Sequence, residues 1–134
     1  METSKSCKQI GGDHYEKLTM QPIEFIIAAK LSFIQGNIVK YISRFRNKNG
    51  KQDLEKCIQY AQMAIDFNSN GPANAALNHA YCYCKANSFN GLIQNIIIYC
   101  TNNDYYAVIK ECKKLIKSEY ENNCNTCNSL EKSS

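Results

Sequence analysis

GNIVKYISRFRNKNGKQD, residues 36–53, holds the end of one apolar helical pattern, a turn signal and the start of a second pattern. Ile34, Ile38, Ile42 and Phe45 recur every three or four residues, the spacing of one helical face, and Ser32 stands where an N-cap would. Asn49-Gly50 is a turn signal. Beyond it, Leu54, Cys57, Ile58, Ala61 and Ile65 again share one face. The segment therefore reads as two amphipathic helices joined by a tight turn.

Outward from this pair the same period continues. Pro22 suits the first turn of a helix running to about Lys30. Residues 68–72 read as a linker, followed by helices over 73–86, 91–100 and 103–120. In the last of these, Val108, Ile109, Cys112, Leu115 and Ile116 form the apolar stripe, and Lys110, Lys113, Lys114 and Lys117 the wet one. No alternating strand pattern interrupts the series. The expected fold is all-α, a single domain over 1–134 of five or six helices arranged as antiparallel hairpins. It divides into a first half over 11–68, a second helical half over 73–120 and a polar tail over 121–134 expected to be disordered.

Two prolines, six glycines and 44% hydrophobic residues in 134 fit a helical globule with one core. No run of apolar residues is long enough to span a bilayer. The start, METSKSCKQIGGDHYEKL, lacks the apolar region of a secretory signal, so a cytoplasmic location is expected. A net charge of +4 permits an anionic ligand without announcing a nucleic-acid binder. Amphipathic helices in so small a chain make a homo-oligomer an expectation.

Sliding the chain by 58 residues lays 25–43 over 83–101, with Ala28 on Ala86, Asn37 on Asn95, Ile38 on Ile96 and Tyr41 on Tyr99. With seven loop residues omitted from the second copy, 53–65 lies over 104–116, with Asp53 on Asp104, Ile58 on Ile109 and Ile65 on Ile116. This is the pattern of an internal duplication. It also gives the cysteines a plain role. Cys57, Cys84, Cys100 and Cys112 fall opposite Val108, Ile26, Ile42 and Ala61, so each is expected in the core as a small apolar residue. Cys124 and Cys127 have C-x-x-C spacing, but no second pair or nearby histidine completes four ligands, and no metal is expected.

The charge of the opening stretch needs its own account. Five of the chain's sixteen Lys and Arg residues lie in it: Lys40, Arg44, Arg46, Lys48 and Lys51. Asn37, Lys40, Tyr41, Arg44 and Lys48 share one helical face, with Lys51 and Asp53 just past the turn. Such a row suits phosphate oxygens, and Tyr41 could stack on a base. A solvated helix end would show the same cations beside the negative end of the helix dipole. The supposed second copy separates the readings, because it carries Ile98 and Asn102 where the first has Lys40 and Arg44. Lys40 and Arg44 are expected to be exposed, so that replacing them should leave stability unchanged.

A second motif is GGDHY, residues 11–15. Its glycines allow close approach of backbone to a ligand, Tyr15 adds an aromatic, and His14 could grip phosphate or act as a general acid or base. His79, among Ala76, Ala80 and Tyr83, is expected to be structural.

GGDHYEKLTMQPIEFI (11–26) and FIQGNIVKYISRFRNKNGKQDLEKCIQYAQM (33–63) together resemble a family of small bacteriophage proteins, the SaV-like family, often described as phage nucleotide kinases. The resemblance covers residues 11 to about 66 and implies a phage origin, action in the host cytoplasm and a nucleotide-related role. Gly12, His14, Asn37, Lys40, Tyr41, Arg44, Lys48, Gly50 and Asp53 stand at its motif positions, without an agreed catalytic role for any. The chain lacks the G-x-x-x-x-G-K-[ST] phosphate loop. Kinase-type transfer would need a magnesium ion; binding alone would need no cofactor. The expected site is thus Gly12, His14, Tyr15, Asn37, Lys40, Tyr41, Arg44, Lys48, Lys51 and Asp53, with His14 the catalytic candidate. Three functions stay open: binding nucleotide phosphates with kinase-like transfer, sequestering a nucleotide signal of host antiviral defence, and binding nucleic acid.

Overall fold

Ser32 starts the helix that organises the molecule. Its hydroxyl accepts from the Gln35 backbone N–H at 3.1 Å, and the Gln35 side chain accepts in return from the Ser32 N–H at 2.9 Å, a reciprocal capping box. A computed structural model describes residues 18–121, and among them every regular element is helical. They are α1 (Pro22–Ala29), α2 (Phe33–Arg44), α3 (Lys51–Phe67), α4 (Asn74–Ala86), α5 (Gly91–Thr101) and α6 (Tyr105–Ile116). A 3-10 turn, Phe45–Asn47, ends α2, and a π turn, Lys117–Glu121, ends α6. The described residues make one all-α domain, as the periodicity predicts. No helix among them is long and apolar enough to cross a membrane. The polar tail beyond Glu121 lies outside the described residues.

Helices α2, α3, α6 and α5 pack in a closed ring, each against the next, while α1 and α4 touch each other and lean on α2 and α5 respectively. Exchanging each helix with the one three places along turns this set of contacts into itself. The sequence offset of 58 has a structural counterpart. Lys30 and Ser88 both adopt left-handed backbone, with φ of 56° and 58°. Each follows its helix with the same pair of bonds: Lys30 N–H to Ile27 O and Leu31 N–H to Ile26 O; Ser88 N–H to Lys85 O and Phe89 N–H to Cys84 O. These are matching Schellman-type stops, neither of them using glycine.

Along α2 and α3, residues meet in opposite chain directions: Arg44 with Asp53, Ile38 with Cys57, Phe33 with Tyr60. The core contains Ile38, Val39, Leu54, Ala61, Ile96, Ile97 and Val108, all fully buried. Cys57, Cys84, Cys100 and Cys112 are buried with them, in the places of small apolar side chains.

The linker between the halves is tied down. Gln35, fully buried, donates from Nε2 to Pro72 O and Cys100 O, both at 3.2 Å. Asn103 pairs with Gly71 through two bonds of 2.9 Å. His79 differs from expectation. It is exposed on α4, because the buried face there runs through Ala76, Ala80, Tyr83 and Cys84 and leaves position 79 outside.

Candidate functional site: a basic and aromatic face on α2 and α3

Tyr41 is the centre of the site. Its ring is almost wholly covered, and three cations approach it: Lys40 Nζ at 4.7 Å from the centroid, Arg44 Cζ at 4.9 Å and Lys56 Nζ at 5.2 Å. Two are one helical turn apart on α2; the third comes from α3 because the helices cross at this height. A ring face carries negative quadrupole charge, so the cluster is partly compensated from below. Of the three cations, Arg44 also has a carboxylate beside it, that of Asp53.

An aromatic run continues from the cluster. Tyr60 stacks on Tyr41 with centroids 6.0 Å apart, and Phe33 meets Tyr60 edge-on at 6.2 Å. Phe33 is 78% exposed, whereas large apolar side chains are more often buried. Lys56 and Tyr60 were not predicted as site residues. Their spacing of four on α3, beside the buried Cys57 and Ala61, was the available signal, and it is a common one on any helix.

Arg44 and Asp53 depart from expectation. Asp53 is fully buried, and its oxygens take Arg44 Nε and Nη2, each at 3.2 Å, with the Asn49 N–H at 3.3 Å. This carboxylate fixes the guanidinium and the turn; it is not presented to a ligand. The exposure expected for Arg44 is therefore corrected: its side chain is 13% exposed and braced from inside.

The rest of the basic stretch separates from this face. Asn37 uses its amide on Phe33 O at 3.0 Å, and Lys48 is exposed in the turn. Arg46 and Lys51 meet the end of the second half: Arg46 Nε donates to Glu119 Oε1 at 3.1 Å, with a second contact from Nη2 to Glu119, and Lys51 pairs with Glu121 at 3.5 Å. The hydrogen bond to Glu119 raises the Arg46 pKa further above its ordinary value, against a smaller opposing effect of burial. Between these acids, Tyr120 packs edge-on against Phe45 and covers Gly50. Gly50 has φ of +55°, and a Cβ there would lie 3.2 Å from the Tyr120 ring, so both backbone and space call for glycine. Gly12, His14 and Tyr15 lie outside the described residues.

At the matching positions of the second half, Lys40, Arg44, Lys56 and Tyr60 become Ile98, Asn102, Ala107 and Glu111. Asp104, the counterpart of Asp53, caps α6 instead by accepting from the Ala107 N–H at 3.1 Å. The basic-aromatic face exists once in the described chain.

Among the described residues, fold and face together define an all-helical domain with one surface that combines basic and aromatic side chains. Residues 10–62 match a family described as a protein of unknown function, DUF3310, so the likeness takes in α1, α2 and most of α3, with every described site residue. No curated protein and no solved structure matches the chain.

Proposed function

We propose that the protein binds the phosphate groups of a nucleotide on the α2–α3 face. One observation carries this: Lys40, Arg44 and Lys56 converge on the Tyr41 ring at one end of an aromatic run that ends in the exposed Phe33. Phosphates would sit on the cations and a base on Tyr60 or Phe33, the division of charge and flat apolar surface that a nucleotide itself has. The cations gather at one ring and do not alternate with aromatics along a track, which favours a nucleotide over a nucleic-acid strand. The resemblance to SaV-like phage proteins supports the same ligand class, and the matching caps of the two halves support an ancestral duplication after which one half kept the charge.

Sequestration without turnover is the second reading, and Asp53 favours it. Among the described residues, the carboxylate paired with the cluster is buried and engaged by Arg44 and Asn49, so it is not placed to take a proton or hold magnesium. Kinase-type transfer would fall to His14, with magnesium supplied alongside.

The test is titration of AMP and ATP, with and without magnesium, into the full chain. Lys40→Ala and Lys56→Ala should each weaken binding by about 1.5–3 kcal/mol, the worth of a hydrogen bond to a charged group. Lys85→Ala, exposed on α4, should leave it unchanged. Unchanged affinity in both site variants would refute the reading. Recovery of unaltered nucleotide after incubation supports sequestration; a phosphorylated product that drops roughly a hundredfold in His14→Ala supports transfer.

A further inference from the structure

On another side of the molecule, α3 and α6 leave a groove of ≈ 420 Å³ between the start of α3 and the end of α6. Its size is within the range of small-ligand sites. Ile58 and Ile116 give it apolar surface, and it is lined by Lys113 from α6 and Lys117 from the π turn that follows. Those two lysines are one helical turn apart, an arrangement that costs stability through like-charge repulsion. Neither has a carboxylate within ion-pair distance among the described residues, although Glu55 lines the same groove from α3. The helix dipole favours cations at this end of α6, but it does not call for two of them facing a cavity with an apolar floor. At the groove's edge the one paired lysine, Lys51, is held by Glu121 at 3.5 Å.

We propose that this groove is a second anion site, separate from the α2–α3 face, for a small organic phosphate. The phosphoryl oxygens lie between Lys113 and Lys117, and the apolar body of the ligand rests on Ile58 and Ile116. Glu121 is an internal competitor: it neutralises Lys51, and an arriving phosphate that displaces it gains a third cation. Charge alone would attract inorganic phosphate equally well, so the apolar floor sets the preference for an organic one.

Phenyl phosphate, titrated into the full chain with isotope-labelled isoleucine methyls, tests this. Ile58 and Ile116 signals should shift and saturate, and inorganic phosphate should bind about tenfold more weakly, having no apolar body to bury. Lys113→Ala/Lys117→Ala should weaken phenyl phosphate by about tenfold or more through the lost charged contacts. Lys110→Ala, exposed on the same helix, should not, and Glu121→Gln should tighten binding. Methyl signals that never move, or that move identically in the double variant, overturn the proposal. The same double variant should keep the ATP binding that depends on Lys40 and Lys56. If instead it loses ATP while Lys40→Ala and Lys56→Ala keep it, the groove is the nucleotide site and the reading of the α2–α3 face fails.

Discussion

Arg44 reaches across the turn between α2 and α3 to both oxygens of Asp53, and the carboxylate it meets is wholly out of solvent while the Arg44 side chain stays 13% exposed. A cation that faces the proposed ligand is thus aimed by an anion that cannot. The pair also fixes the turn, because Asp53 receives the Asn49 N–H at the same time.

Removing Arg44 should consequently destabilise the fold as well as the site. Arg44→Ala strands a buried carboxylate and should cost about 3–5 kcal/mol. Asp53→Ala should cost less, since Arg44 can turn outward. A double-mutant cycle by urea unfolding should give a coupling of about 1–3 kcal/mol. Additive losses would mean that the two side chains act independently.

Gly71 is a sharper test of the linker. A Cβ there would fall 1.9 Å from Gln35 Oε1, and Gln35 is pinned by Ser32, Pro72 and Cys100, so it can yield only by giving up buried hydrogen bonds. Gly71→Ala should lose about 1–3 kcal/mol of stability. Combined with Gln35→Ala the loss should be smaller than the sum of the two single losses, and a Gly71→Ala protein as stable as the parent would contradict the packing described.

Thiol reactivity should divide the described cysteines. Cys82 is exposed and should react quickly with a thiol reagent in the native protein, whereas Cys57, Cys84, Cys100 and Cys112 should wait for unfolding. Peptide mapping after brief labelling reads this directly, and early modification of any of the four would remove it from the core.

Alkaline pH should weaken the fold through the same thiols. Burial pushes Cys84 from an ordinary value of 9.0 up to about 11, and burial also raises Cys57 and Cys100. In this range the folded state holds protons that the unfolded chain releases, so stability is intact below pH 9 and falls as pH rises toward 11. Urea midpoints across that window should decline, less steeply in Cys84→Ala. A level profile would show that these thiols titrate as they do in the unfolded chain.

The set of helices and the burial of the four thiols were legible in the chain before any packing is known. Ile34, Ile38, Ile42 and Phe45 lie on one face because helical geometry repeats within a few residues, and Ser32 caps through an atom three positions away; such relations are written in neighbouring letters. The offset of 58 was legible for the same reason, since equal spacing in two segments yields matching helices and stops. Tertiary structure alone decided how the charges are used. Lys56 and Tyr60 join Tyr41 only because α3 crosses α2. Asp53 is withdrawn from the ligand by the depth at which its helix starts, and Arg46 and Lys51 are claimed by Glu119 and Glu121 from the far end of the described chain. A charged residue carries the same letter whether it faces water, a ligand or a buried partner; only the packing of distant segments fixes which of these it meets.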